Sequence, residues 1–146
     1  MSGESVFWQY IRKALPKNNL HIMRVENLTN KGTPDINFCY KGVEGWIELK
    51  SKLTLPVKAT TRVFGNKGLS SEQKVWLKNR FDCGGNVFVL CKAAKGIFLF
   101  VADTHNITNF NEWCEDELIR NSIWKHKGNK PDFENLMETI YESQKN

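Results

Sequence analysis

Acidic residues are missing from one whole stretch of this chain. Between Leu49 and Ser71 there is no Asp or Glu, while Lys50, Lys52, Lys58, Arg62 and Lys67 all fall there. Other absences are broader. No apolar run approaches the roughly 18 residues that a membrane-crossing helix needs, and residues 1–13 hold no apolar stretch of the kind a secretory leader carries. Cys39, Cys83, Cys91 and Cys114 form no C-x-x-C pair and have no histidine at zinc spacing, which argues against a zinc module. His21, His105 and His126 share no motif, and His105-Asn106 completes no H-N-H pattern, so the histidines are expected to be non-catalytic. There is no internal repeat and no low-complexity segment. The expectation is a soluble, cytoplasmic protein (host cytosol if the source is a virus), with no membrane partner and with reduced, mostly buried thiols.

What is present suits one domain over residues 1–146. With 40% hydrophobic and 12% aromatic residues the chain can bury a core without staples. A net charge of +5 favours a polyanionic partner.

Apolar spacing predicts a first helix over Glu4–Leu15, with Trp8, Ile11 and Leu15 on the face that carries Glu4 and with Phe7 flanking it. Pro16 and the cluster Lys17-Asn18-Asn19 stop it. Strands are expected at His21–Val25, Pro34–Tyr40 and Val43–Lys50. Ser51–Leu69 is too long for a routine connection, so it is expected to be functional or mobile. Ser70 and Gln73 have the spacing of a capping box at the start of a helix reaching about Cys83, before Gly84-Gly85. Asn86–Cys91 and Ile97–Val101 are apolar enough for buried strands. Helices are expected near Glu112–Asn121 and Phe133–Ser143, joined by the basic segment Trp124–Lys130. This order predicts an α/β domain with a mixed β-sheet flanked by helices, its core at about residues 4–92 and a C-terminal helical extension at about 107–146.

Chemistry enters with the hairpin. If Lys41-Gly42 is a two-residue turn, Tyr40 pairs with Val43, Asn37 with Trp46 and Asp35 with Glu48. Alternation then puts Ile36, Phe38, Tyr40, Ile47 and Leu49 on one face, and Asp35, Asn37, Trp46, Glu48 and Lys50 on the other. Opposed residues have Cβ atoms about 4.5–5.5 Å apart. Two carboxylates at that distance repel unless a proton, a neighbouring cation or a hard divalent ion offsets the charge. Mg²⁺ suits best, because it takes oxygen ligands, usually one or two carboxylates, and keeps several waters. Lys50 stands on the same face without being a ligand. Such a set fits phosphodiester hydrolysis, the metal polarising the phosphate and acidifying water while the lysine stabilises developing charge. The alternative is a surface hairpin with ordinary charges, and a one-residue slip would turn Asp35 to the other face.

Gly32-Thr33-Pro34-Asp35, twelve residues, then Glu48-Leu49-Lys50 resembles the signature of the PD-(D/E)xK nucleases. Ser70-Ser71-Glu72-Gln73 and the following Gly85 and Val87–Leu90 make the order similar to the VRR-NUC branch. That branch includes small virus-type nucleases and the nuclease modules of DNA-repair enzymes. The resemblance implies a restriction-endonuclease-like fold and Mg²⁺-dependent (Mn²⁺ substituting) endonuclease action on DNA. It also implies that Asp35 and Glu48 hold the metal with the Leu49 carbonyl, that Lys50 is the catalytic lysine, that Gln73 reaches back to the site, and that Glu4 adds an acid from the first helix. Gln73 has the alternative of a cap alone, and Glu4 that of favouring a helix N-terminus. Family members of this size often act as homodimers on branched DNA such as four-way junctions or flaps. A non-catalytic DNA-binding module, a restriction-like duplex endonuclease and an exonuclease stay open beside that reading.

The acid-free stretch is where a phosphate backbone is expected to lie, with Lys52, Lys58, Arg62 and Lys67 as contacts, Arg24 near the site, and Phe64 as a base-stacking or wedging residue.

Overall fold

The computed structural model describes residues 3–26 and 29–144. Along them run α1 (Gly3–Ala14), β1 (Leu20–Arg24), β2 (Ile36–Tyr40), β3 (Val43–Lys52), α2 (Ser71–Asp82), β4 (Val87–Ala93), β5 (Gly96–Val101), α3 (Thr104–Asn109), α4 (Glu115–Asn121), β6 (Trp124–Lys127) and α5 (Phe133–Ser143). The six strands form one sheet in chain order. Only β3 and β4 are parallel; the other neighbours are antiparallel. The parallel pair requires a crossover, and α2 supplies it. The domain is therefore α/β, with a mixed sheet and helices on both faces. No helix among the described residues is long and apolar enough to cross a membrane.

The β2–β3 hairpin sets the register of everything near the site. Lys41 (φ 50°) and Gly42 (φ 85°) both lie in the left-handed region, the geometry of a two-residue turn that matches strand twist. Tyr40 pairs with Val43, Asn37 with Trp46 and Ile36 with Ile47. Ile36, Phe38, Tyr40, Ile47 and Leu49 are all buried in one cluster with Phe7, Trp8 and Ile11 of α1 and Leu136, Met137 and Ile140 of α5.

The opposite face, which the sequence reads as a polar working face, is covered by other parts of the chain. Val87, Val89 and Cys91 of β4 continue it into a second cluster with Leu77 of α2, Phe110 and Trp113. Glu48 and Lys50 lie beneath this layer, 2% and 8% exposed. The 51–69 connection is also only partly loose. Val63, Phe64 and Leu69 are buried in the same cluster, and a short 3-10 turn spans Gly65–Lys67.

Two further expectations need correction. The segment Trp124–Lys130 begins with a strand, β6, paired to β5 from Gly96–Lys127 to Leu99–Trp124. The region 107–146 thus also contributes to the sheet, and Leu118 of α4 and Phe133, Leu136, Met137 and Ile140 of α5 belong to the two cores. Of the cysteines only Cys91 is fully buried, and Cys83 is exposed.

Candidate active site

Glu48 and Lys50 stand two residues apart on β3, which lies between β2 and β4, and so face the same way. Asp35 sits one residue before β2. The register that pairs Ile36 with Ile47 brings it level with Glu48. Two main-chain bonds fix it there: its carbonyl accepts from the Val25 N–H at 2.7 Å, and its Oδ2 accepts from the Leu49 N–H at 2.8 Å.

Gln73 reaches the site through the helix cap. Ser70 Oγ accepts from the Gln73 N–H at 3.1 Å, and Gln73 Oε1 accepts from the Ser70 N–H at 2.9 Å, a reciprocal capping box. Because a backbone N–H can only donate, the oxygen end of the amide must face Ser70 and the NH₂ end must face away. That end donates to Glu48 Oε2 at 2.9 Å. Cap and site contact are one arrangement.

The start of α2 is pressed against the loop that carries Asp35. Gly32 has φ +98°, and a Cβ there would stand 2.4 Å from the Glu72 carbonyl oxygen. Glycine is required twice over at this point, by backbone conformation and by space.

Glu48 Oε2 also lies 3.7 Å from Lys50 Nζ. Its other oxygen, Oε1, is buried and meets no hydrogen-bond donor. Burial first, then the negative charge of Asp35, push the Glu48 carboxyl up to about 9, with Lys50 pulling the other way and a hydrogen bond shared with Asp35 and the charge of Glu4 adding to the rise. Without a bound cation, the two carboxyls therefore favour holding a proton between them. Glu4 approaches from α1, and its Oε2 accepts from the Ser51 N–H at 3.3 Å. It does not complete a ligand trio: among the described residues no three His, Cys, Asp or Glu side chains cluster at metal-ligand spacing.

Two carboxylates, one with a buried oxygen lacking any donor, fit a hard divalent cation. Mg²⁺ takes one or two carboxylates and keeps water for its other positions. A buried acceptor without a partner costs about 1–3 kcal/mol, and a cation removes that cost.

No protein-family model matches this chain, and no curated protein matches it. Among solved structures it is similar to Hjc, a Holliday junction resolvase from the archaeal hyperthermophile Archaeoglobus fulgidus, at 18% identity and TM-score 0.47 over 69% of this chain and 74% of that one.

The basic residues singled out in the sequence fall into different surroundings. Lys58 and Lys67 are exposed and Lys52 is half-buried. Arg62 pairs with Glu112 at 3.4 Å on the surface, so an acid from outside the acid-free stretch meets it after all. Arg24 donates to Ser5 Oγ at 2.9 Å and ties β1 to α1. Phe64 is only 4% exposed and stacks on Phe110 at 5.1 Å. It has no free face for a base, and the wedging role is withdrawn.

Asn111 is a residue that motif reasoning missed. Its side chain accepts from the Leu69 N–H at 2.7 Å and donates to the Leu69 carbonyl at 2.9 Å, directly before the Ser70 cap. It clamps the approach to α2, and no sequence signal links an asparagine to a partner 42 positions away.

Proposed function

We propose that this chain is a Mg²⁺-dependent endonuclease that hydrolyses DNA phosphodiester bonds, of the PD-(D/E)xK type and VRR-NUC-like. The observation that carries the reading is the buried, donor-free Oε1 of Glu48 beside Asp35, with Lys50 and Gln73 both turned to Oε2. A site of this kind is costly to build and serves no packing purpose, whereas a metal-assisted hydrolase needs it.

In this reading Asp35 and Glu48 hold the ion, with the Leu49 carbonyl as a third oxygen. The bound ion supplies Lewis acidity toward the phosphate and lowers the pKa of water. The chain's own residues do the rest. The Leu49 N–H fixes one Asp35 oxygen. Gln73 holds Glu48 Oε2, so that Oε1 is the oxygen left free for the ion. Lys50 brings a buried positive charge to the place where the phosphate gains negative charge in the transition state, where low dielectric strengthens its effect. Glu4 adds negative charge from α1 without being a direct ligand. Lys52, Lys58 and Lys67 hold the phosphate backbone beyond the cut, with Arg62 once its pair with Glu112 opens.

The preferred substrate in this reading is branched DNA, a four-way junction or flap. Symmetric incision of a junction needs two sites, which makes a homodimer the expected state. The test is a panel of labelled four-way junctions, flaps and plain duplex with Mg²⁺, with Mn²⁺ and with EDTA, run beside a solution mass measurement. Cleavage of branched DNA that EDTA abolishes is the expected result. Binding without turnover in either metal would leave a DNA-binding module instead.

A further inference from the structure

A cleft of about 560 Å³ opens beside the candidate site and has no part in the chemistry above. It adjoins the site through Glu4: Gly3 and Ser51 line the cleft, the Glu4 carboxylate accepts from the Ser51 N–H at 3.3 Å, and its charge reaches Glu48. Its walls are apolar and open to solvent. Val6 and Tyr10, one helical turn apart on α1, are 55% and 39% exposed, and Leu53, just past the end of β3, is 89% exposed. The inward face of α1 is already occupied by the core residues Phe7, Trp8 and Ile11; Tyr10 sets one edge against Phe133 at 6.1 Å and Val6 stays exposed. The charges in the cleft are of one sign. Lys92 and Lys95 line it and no Asp or Glu does. The Lys92 ammonium donates to the Ala94 carbonyl at 2.5 Å, which holds it in place.

Flat apolar surface combined with lysines and no acid is the chemistry that grips an unpaired nucleic-acid strand, bases against the apolar wall and phosphates on the cations. Duplex DNA keeps its base faces stacked inside and offers Val6, Tyr10 and Leu53 nothing to cover. We infer that this cleft holds an unpaired stretch of the strand being cut, next to the scissile bond. The inference rests on the nuclease reading and narrows its substrate to DNA with a single-stranded segment at the cut site, such as a fork or flap.

The test measures binding and cutting separately. Fluorescence anisotropy with a short labelled oligo-dT, in EDTA, compares the full chain with L53S/K95A and with Tyr10→Phe. Leu53 and Lys95 are exposed, so the double variant should keep its melting temperature. It should bind oligo-dT about tenfold more weakly, and Tyr10→Phe, which keeps the ring, should bind as the parent does. In Mg²⁺ the parent should cut a forked substrate faster than a blunt duplex. The double variant should lose that preference while cutting the blunt duplex unchanged. Unaltered oligo-dT affinity in the double variant, or an equal loss on fork and duplex, would overturn the cleft assignment and leave the nuclease reading standing. A parent protein that cuts no DNA overturns the nuclease reading, and the anisotropy comparison still decides the cleft.

Discussion

Gln73 donates to Glu48 at 2.9 Å with the same amide that caps α2, so helix stability and the site share one side chain. Two substitutions separate them. Gln73→Ala removes both roles and should cost about 1 kcal/mol in urea denaturation through the lost cap. Gln73→Glu keeps an acceptor for the Ser70 N–H but sets a carboxylate against Glu48. Its stability should lie closer to the parent, while cleavage falls by about 10–100-fold, as for other residues that orient a metal ligand. Loss of activity that simply tracks loss of stability in both variants would reduce Gln73 to a cap.

The two carboxylates should respond oppositely in stability and alike in activity. Asp35 accepts from the Leu49 N–H, so Asp35→Ala strands a buried donor and should destabilise by about 1–3 kcal/mol. Glu48 is buried with an oxygen that has no donor, so Glu48→Gln should be neutral or stabilising in metal-free buffer at neutral pH. Both variants, and Lys50→Ala, should cut DNA at least about a hundredfold more slowly, with DNA binding retained in gel shifts.

Glu48 also makes metal-free stability depend on pH in a direction unusual for a carboxylate. An unfolded chain ionises Glu48 near 4.5, whereas the folded chain keeps the proton up to about 9. Below 4.5 both states carry it and pH has no leverage. Between these values the folded state alone holds the proton, so each rise in pH favours unfolding. Thermal melts in EDTA should therefore show Tm falling across this window, and Glu48→Gln should flatten the slope. Because a metal-bound carboxylate must be ionised, added Mg²⁺ should raise Tm more at the alkaline end of the window than at the acid end.

The hairpin was legible because two local rules agree there. Strand alternation has period two, and Lys41-Gly42 fixes the turn, so the pairing of Asn37 with Trp46 follows by counting. The capping box was equally local. What counting could not show is which face is covered by something distant. Glu48 and Lys50 look like a surface pair along the strand, and only the docking of α2 and of residues 63–69 buries them. The same blindness misplaced Phe64, whose basic neighbours suggested an exposed loop, while Phe110 and Trp113 far along the chain pull it inward. Trp124–Lys127 reads as a basic connector because three of its four residues are Lys or His. At the sheet edge the lysines face solvent while Trp124 is buried. α3 was missed because six residues are too few to display a helical period. Its Asp103 cap, accepting from the Asn106 N–H at 2.9 Å, is the one local sign of it.

Gly32 gives a test of how tightly the Asp35 loop is pressed on α2. Gly32→Ala adds a Cβ 2.4 Å from the Glu72 carbonyl, in a conformation that disfavours any side chain. Backbone strain and overpacking together should cost roughly 1–3 kcal/mol or more. Since Glu72 directly precedes Gln73, the displacement should reach the Gln73–Glu48 bond, and cleavage should fall even at temperatures where the variant is fully folded. Circular dichroism melts and cleavage rates on the same preparation check this. Stability lost with full activity retained would show that the loop and the helix move independently.

Arg62 and Glu112 form an exposed ion pair at 3.4 Å, and such pairs contribute at most about 1 kcal/mol to folding. Its importance lies in where it sits, where an acidic side chain pairs with a cation of the basic 51–69 segment. In the proposed function Arg62 holds phosphate, so Arg62→Ala should weaken DNA binding at low salt, with a shallower dependence on salt concentration. Glu112→Gln leaves the arginine without this ion pair and, on the same reading, removes a negative charge that would repel phosphate. It should tighten binding without changing Tm measurably. Opposite shifts in Kd from the two halves of one ion pair, read by anisotropy over a salt series, are the expected outcome. Parallel shifts would mean that the pair acts on the fold of the 51–69 segment and not on DNA.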